Sequence, residues 1–179
     1  MENKNTVSIG DFVTESMTHF GKEVNTNRQL PHVLDGLKPV YRRIIYETLT
    51  NNVGSMTKTA AIAGRVIATT HPHSDSSVVP PISNLVRWNI LEGQGNHGLK
   101  SLMGDDIDAA APRYTEAKIS SKYLNIFKEF MPYVEYVDAE MPGYKEPKYL
   151  PSPIPLCLSF STLGIGIGVN TRVPAFTVH

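Results

Sequence analysis

The stretch TKTAAIAGRVIATTHPHSDSSVVPPISNLVRW, residues 57–88, decides the fold. Thr57 to Ala68 is short and Ala-rich, which predicts a helix. His71-Pro72-His73 reads as a turn. Val78, Ile82, Leu85 and Val86 then recur at helical spacing and predict a second helix. Two short helices across a tight turn match helix-turn-helix geometry, in which the second helix enters a DNA groove. Pro80-Pro81 complicates that second helix. First-turn amides have no intrahelical acceptor, so Pro80 is tolerable if Ser77 is the cap, but Pro81 then lies one step too deep. A late start or a distorted first turn is expected.

Upstream, residues 8–24 are predicted to form a helix. Ser8 with Asp11 makes its cap, and Ile9, Phe12, Val13, Met17 and Phe20 share one face. Asn25 to Lys38 is polar and turn-rich. Pro39 suits the first position of a further helix running to about Leu49, stopped by Asn51, Asn52 and Gly54. Downstream, Trp88–Leu91 and Arg113–Lys118 are expected to border short strands, with a polar Gly93-Gln94-Gly95 loop between them. Leu124–Phe130 is expected to be helical. Met131–Pro142 alternates apolar and polar residues and is expected to contain a strand. Leu156–Val169, with glycines at 164, 166 and 168, reads as a buried strand or tight strand-turn.

The 179 residues suffice for one domain with a core, or one domain and the beginning of a second. No run of about twenty apolar residues occurs, and Met1–Asn5 lacks the apolar segment of a secretory signal. The single cysteine, Cys157, excludes an intrachain disulfide and a cysteine-based zinc site. The formal net charge is zero, yet residues 28–122 hold eleven basic and eight acidic side chains. The basic ones cluster early, at Arg28, Lys38, Arg42, Arg43, Lys58 and Arg65. A local patch of this kind, not the global charge, makes phosphate contacts.

Ala109 to Ala117, AAAPRYTEA, sets one phenol beside one guanidinium. A phenol titrates near ~10, so a tyrosine attacking a phosphodiester must be deprotonated as it reacts. The phosphate must also be held, which an adjacent planar, permanently charged Arg can do. Arg113-Tyr114 alone is a weak signal; most such pairs are surface or strand residues.

Five blocks in register raise it. Arg28-Gln29-Leu30-Pro31 with Asp35–Arg43, His71–Ser76, Glu92–Gly98, Ala109–Ala117, and Ile154-Pro155 with Gly164–Gly168 resemble, in order and spacing, segments of the A-type, DNA-cleaving subunit of type IIA DNA topoisomerases. The resemblance implies an α+β fold: an N-terminal helix or arm over residues 1–24, a winged-helix (helix-turn-helix) DNA breakage-reunion domain over 25–122, and the beginning of a tower-like α/β domain over 123–179. Family chains continue well beyond, so the resemblance covers an N-terminal part only.

The same resemblance implies the chemistry. Tyr114 falls where the family carries its nucleophile, forming a 5′-phosphotyrosyl bond, with Arg113, Arg28 and His71 around the scissile phosphate. Lys38, Arg42, Arg43, His73 and Ser76 would touch DNA. Ile165 matches an isoleucine wedged between base pairs, a device that offsets unstacking by extra wrapping contacts. Mg²⁺ and ATP would be bound by a partner, the Toprim/ATPase B-type subunit. The A-type chain would form a homodimer, and with that partner a heterotetramer on double-stranded DNA. The setting would be cytoplasmic, in a bacterium or in a host cell if phage-encoded.

Three departures stand out: Ser74 replaces a family glycine, Pro80 an acidic residue and Arg65 an aspartate. With Ser76 kept and the acid gone, a poor response to quinolones is expected, which a drug-stimulated cleavage assay tests. For metals, none is expected here. His71-Pro72-His73 has no third ligand nearby in sequence, and Asp105, Asp106 and Asp108 read as a solvated loop. A second reading is a non-catalytic winged-helix DNA-binding or topoisomerase-inhibiting module of the same descent.

Overall fold

The computed structural model describes residues 7–51, 54–100, 104–153 and 156–176. Met1–Asn5 and the Ile154-Pro155 motif lie outside those residues. The chain begins with α1 (Ile9–Val24), capped by Ser8, whose Oγ accepts from the Asp11 amide at 3.1 Å and donates to the Asp11 carboxylate at 2.7 Å. Only Gly21 of this helix is buried. Its apolar face, Ile9 through Phe20, is exposed. A single π-helical turn (Asn25–Gln29) then ends at Leu30, whose extended backbone stops the helix.

Three helices form the centre: α2 (Pro39–Asn51), α3 (Thr59–Thr69) and α4 (Asp75–Arg87). Their inward faces follow the 3.6-residue period. Ile44 and Ile45, Ile62 and Val66, and Val78, Ile82 and Leu85 are all fully buried. Each such side chain contributes roughly 1.5–3 kcal/mol through removal from water. Residues 57 and 58, expected to open the third helix, instead form β1 (Thr57–Lys58). It joins β2 (Leu91–Gln94) and β3 (Glu116–Ile119) in an antiparallel sheet of order β1-β3-β2. Thr57 faces Ala117 and Leu91 faces Ile119. Ile90, Leu91, Ala117 and Ile119 close the core with Phe127 of α5 (Ser121–Phe130).

The start of α4 differs from expectation. The cap is Ser74, not Ser77, with Ser77 Oγ donating to the Ser74 carbonyl at 2.6 Å. The helix runs unbroken from Asp75, with Pro80 and Pro81 in its second turn. Two intrahelical bonds are therefore forfeited. Burial of Val78, Pro81 and Ile82 on either side holds the turn in place.

Beyond α5 the elements are small. Met131–Tyr133 is a 3₁₀ turn, and within the expected strand region β4 (Tyr136–Asp138) forms a strand, paired with β5 (Lys145–Pro147). The expected strand over 156–169 is divided into a short helix, α6 (Leu156–Ser159), and β6 (Thr162–Ile165), which pairs with β7 (Asn170–Val173). Asp35, completely buried, ties these parts to the centre. Its carboxylate accepts from the Arg42 guanidinium at 2.7 and 3.1 Å and from the amides of Leu37 and Leu150, both at 2.9 Å. No helix among the described residues is long and apolar enough to cross a membrane.

Candidate functional site

Four segments enclose a cleft of about 500 Å³. Arg28 comes from the π turn, and Lys38 and Tyr41 from the start of α2. His71 and His73 come from the turn after α3, and Ser77 from α4. The π turn is backed by the β6–β7 hairpin. Asn25 exchanges two hydrogen bonds with the Ile167 backbone, at 3.1 and 2.9 Å. Lys38 Nζ donates to the Leu163 carbonyl at 2.6 Å. Burial lowers the Lys38 pKa, so this cation is held against its desolvation by that carbonyl.

His71 is buried against Arg43. Arg43 Nη1 lies 2.7 Å from His71 Nδ1, and a guanidinium only donates. Nδ1 is thus the acceptor, and the neutral ring carries its proton on Nε2. Burial, then the charges of Arg43, His73 and Arg28, outweigh the opposing pull of Glu140 and lower the His71 pKa to about 4. At neutral pH the ring is an uncharged donor of fixed tautomer. Arg43 is itself fixed from behind: Glu146 accepts from its Nε and Nη2 at 2.5 and 2.8 Å, and Glu140 from Nη1 at 2.9 Å. Burial works against the Arg43 charge, but these carboxylates prevail and raise its pKa.

Tyr114 stands elsewhere. It is 66% exposed, and the Arg113 guanidinium lies over its ring, 4.6 Å from the centroid. The turn that carries it is rigidly seated. Tyr114 N–H donates to Ala111 O at 2.9 Å, and the Thr59 and Ala60 amides at the start of α3 donate to Thr115 O and Pro112 O. Buried Thr115 Oγ1 donates to Thr59 Oγ1 at 2.8 Å. The Gly93-Gln94-Gly95 loop braces the other side. Gly95 has φ +89°, and a Cβ there would meet Tyr114 O at 3.0 Å. Asn96 O accepts from the Ala110 amide at 2.9 Å, and buried His97 bonds Glu116 O through Nε2 at 3.0 Å. Asn96 and His97 were not singled out by sequence reasoning; their place in the loop was the available signal.

The two groups sit at opposite ends of α3. Its eleven residues at 1.5 Å rise span about 16 Å. Pro112 and Thr115, on either side of Tyr114, bond the first turn, while His71 follows the last turn, its amide bonded to Val66 O. Accordingly, Tyr114 does not line the cleft that contains Arg28 and His71.

A sequence model of the A-type subunit of DNA gyrase/topoisomerase IV matches residues 28–179. The chain belongs to that family. It is 36% identical over 185 residues to the DNA gyrase A protein of Helicobacter pylori (strain ATCC 700392 / 26695), covering 97% of this chain and 22% of the relative. It is 35% identical to that of Campylobacter jejuni, covering 97% of the chain and 21% of the relative. With that of Staphylococcus aureus (strain NCTC 8325 / PS 47) it shares 34% identity, over 93% and 19%. The chain spans about a fifth of the length of these relatives.

In this gyrase A relative, two of the residues expected at DNA are not surface residues. Arg42 and Arg43 are buried, Arg42 on Asp35 and Arg43 on Glu146, Glu140 and His71. Their charge is committed to partners inside the protein. Arg28 and Ser76 are exposed, His73 is half-buried, and Ile165 is 69% exposed near the β6–β7 turn. Asp105, Asp106 and Asp108 lie in an exposed loop, where Lys100 pairs with Asp106. That donor set does not provide the convergent carboxylates a Mg²⁺ site needs. A third candidate metal ligand for the two histidines does exist. His71, His73 and Glu140 each offer a ligand atom, all within 4.8 Å of one another.

Proposed function

We propose that this chain is the DNA-cleaving part of a type IIA topoisomerase, with Tyr114 as nucleophile. The observation that carries the reading is an exposed Tyr114, with a guanidinium over its ring, on a turn fixed by the start of α3. Family membership supports it. The phenol oxygen, deprotonated, attacks a DNA phosphorus. The new O–P bond forms as the P–O3′ bond breaks, and the departing 3′ oxygen takes up a proton. The phosphodiester energy is retained in the phosphotyrosyl link, so resealing is the same step reversed.

Arg113 stabilises charge on the reacting phosphate. Arg28, Lys38 and His71 hold it in the cleft, His71 through its Nε2–H. His73 and Ser76 contact the flanking backbone, and such contacts carry little sequence information. α3, α4 and the three-stranded sheet serve as a winged helix, with α4 toward the groove. Exposed Ile165 is the wedge, and residues 123–179 open a tower domain. Mg²⁺ and ATP would be held by the B-type partner, where the metal would supply Lewis-acid stabilisation and the nucleotide the drive for strand passage. No residue of this chain is assigned to either. The setting is the bacterial cytoplasm.

The Tyr114 turn is bonded to the first turn of α3 and His71 follows its last, and the helix between them is about 16 Å long. We therefore read each site as shared, Tyr114 of one copy meeting the cleft of another in the A-type homodimer. The same separation favours the second reading if the chain stays monomeric: a DNA-binding or inhibitory module without cleavage.

The test is covalent capture. The chain, a Toprim- and ATPase-bearing partner, supercoiled DNA and Mg²⁺ are mixed and quenched with detergent. Protein-linked DNA ends that vanish with Tyr114→Phe support the nucleophile. DNA binding with no linked ends would shift the assignment to the binding module.

A further inference from the structure

We propose that His71, His73 and Glu140 form a binding site for a divalent transition-metal ion of the zinc class, at the edge of the cleft. The site is separate from the Mg²⁺ assigned to the partner, and its existence does not depend on the cleavage reading.

Three observations converge. The two histidines flank Pro72 on one tight turn, with ring centroids 4.4 Å apart and planes at 69°. Glu140, on the β4–β5 connection, lies beside them. Its Oε2 lies 3.1 Å from His73 Nε2, and all three ligand atoms fall within 4.8 Å of one another. Thirdly, His73 Nε2 is buried and faces the Glu140 carboxylate, with Oε2 at 3.1 Å. A metal ion between the two atoms would bind both.

The dimensions suit zinc better than a hard cation. Zn–N and Zn–O bonds are about 2.0–2.2 Å, which puts neighbouring tetrahedral ligands about 3.4 Å apart. The three ligand atoms already lie within 4.8 Å of one another, and one pair of them at 3.1 Å. Two imidazoles and one carboxylate are a borderline set that suits Zn²⁺, and Mg²⁺ prefers oxygen ligands. Three protein ligands leave a fourth position for water or a phosphate oxygen.

Arg43 is the competitor, since its Nη1 now contacts both His71 and Glu140. Glu146 holds two other guanidinium nitrogens. Arg43 therefore keeps a carboxylate when Glu140 and His71 turn to the ion.

The test is titration of the whole chain with Zn²⁺ by calorimetry and with Co²⁺ by visible absorption, without DNA or partner. One ion per chain, with Co²⁺ bands of tetrahedral intensity, is expected. His73→Asn and Glu140→Gln should each weaken binding by about tenfold or more. Circular dichroism identifies any variant that fails to fold, and half-exposed Glu140 keeps that arm usable. Absence of binding, or binding unchanged in both variants, overturns the proposal. Loading should also withdraw His71 from the cleft. In the cleavage assay, which does rest on the function proposed above, Zn²⁺ should inhibit the wild type but spare Glu140→Gln. Equal inhibition of both would overturn that regulatory consequence while leaving the binding result standing.

Discussion

Asp35→Ala should be among the most damaging single changes in this chain. Asp35 has no exposed surface, and four donors converge on its carboxylate: Arg42 Nε and Nη2, and the amides of Leu37 and Leu150. Removing one partner of a buried ion pair costs about 3–5 kcal/mol, because the other charge stays behind in low dielectric. Each buried amide that loses its acceptor adds about 1–3 kcal/mol. These losses overlap, since water entering the void rescues part of each, so about 4–6 kcal/mol is expected in total. That is a large share of the roughly 5–15 kcal/mol typical of a domain. Arg42→Met in the Asp35→Ala background should recover about 1–3 kcal/mol by removing the stranded cation. The assay is urea unfolding of all three proteins, with an unchanged slope confirming that native compactness is retained. A loss below about 1 kcal/mol for Asp35→Ala would refute the view that this carboxylate joins residues 35–42 to Leu150.

Other outcomes follow from the same structure. With metal chelated, His71 should titrate near pH 4 and not near 6.5 in a histidine-resolved NMR titration. Its folded pKa is depressed, so the unfolded chain binds the extra proton between those values. Stability is then complete above pH 6.5 and declines as pH falls toward 4, by roughly 1–3 kcal/mol once the solvent at the cleft is allowed for. A midpoint at 6.5 would contradict the role given to burial and Arg43. Gly36→Ala should cost about 2 kcal/mol or more, because φ is +67° and the new Cβ would sit 2.5 Å from the Cys157 amide nitrogen; thermal unfolding measures it. Ile165→Ala should leave unfolding unchanged but reduce bending of bound DNA, and unaltered bending in a fluorescence-transfer assay would remove Ile165 as a wedge.

The helices were legible because their signal is local. Apolar spacing marks α3 and α4, and Ser8 with Asp11 marks the start of α1. The early basic cluster was legible as composition but not as geometry. Arg42 finds Asp35 only seven residues away, yet Arg43 finds Glu140 and Glu146 about a hundred residues downstream, and no periodicity encodes such a pairing. A separation of nearly seventy residues likewise hid Glu140 as a companion to His71 and His73. The prolines misled for a different reason. Their penalty is real, but burial of Pro81 and its neighbours outweighs two missing hydrogen bonds, so tertiary packing overrides local propensity.

Helix α3 makes the shared-site reading testable without a further structure. It fixes Tyr114 at one end and His71 at the other, and neither turn can move far while Thr59, Ala60 and Val66 keep their bonds. Consider a mixture of two damaged chains, one Tyr114→Phe and the other Arg28→Ala. Each alone should give almost no linked DNA with the B-type partner. If each site takes its tyrosine and its cleft from different copies, a mixed dimer has one site with both defects and one with neither. The intact site cleaves one strand, so mixing should restore nicks but not double-strand breaks. If both elements came from the same copy, each site of the mixed dimer would carry one defect and mixing would restore nothing. Restored nicking therefore requires that the two ends of α3 serve different sites, and its absence in proven mixed dimers would require a rearrangement that brings Tyr114 to its own cleft.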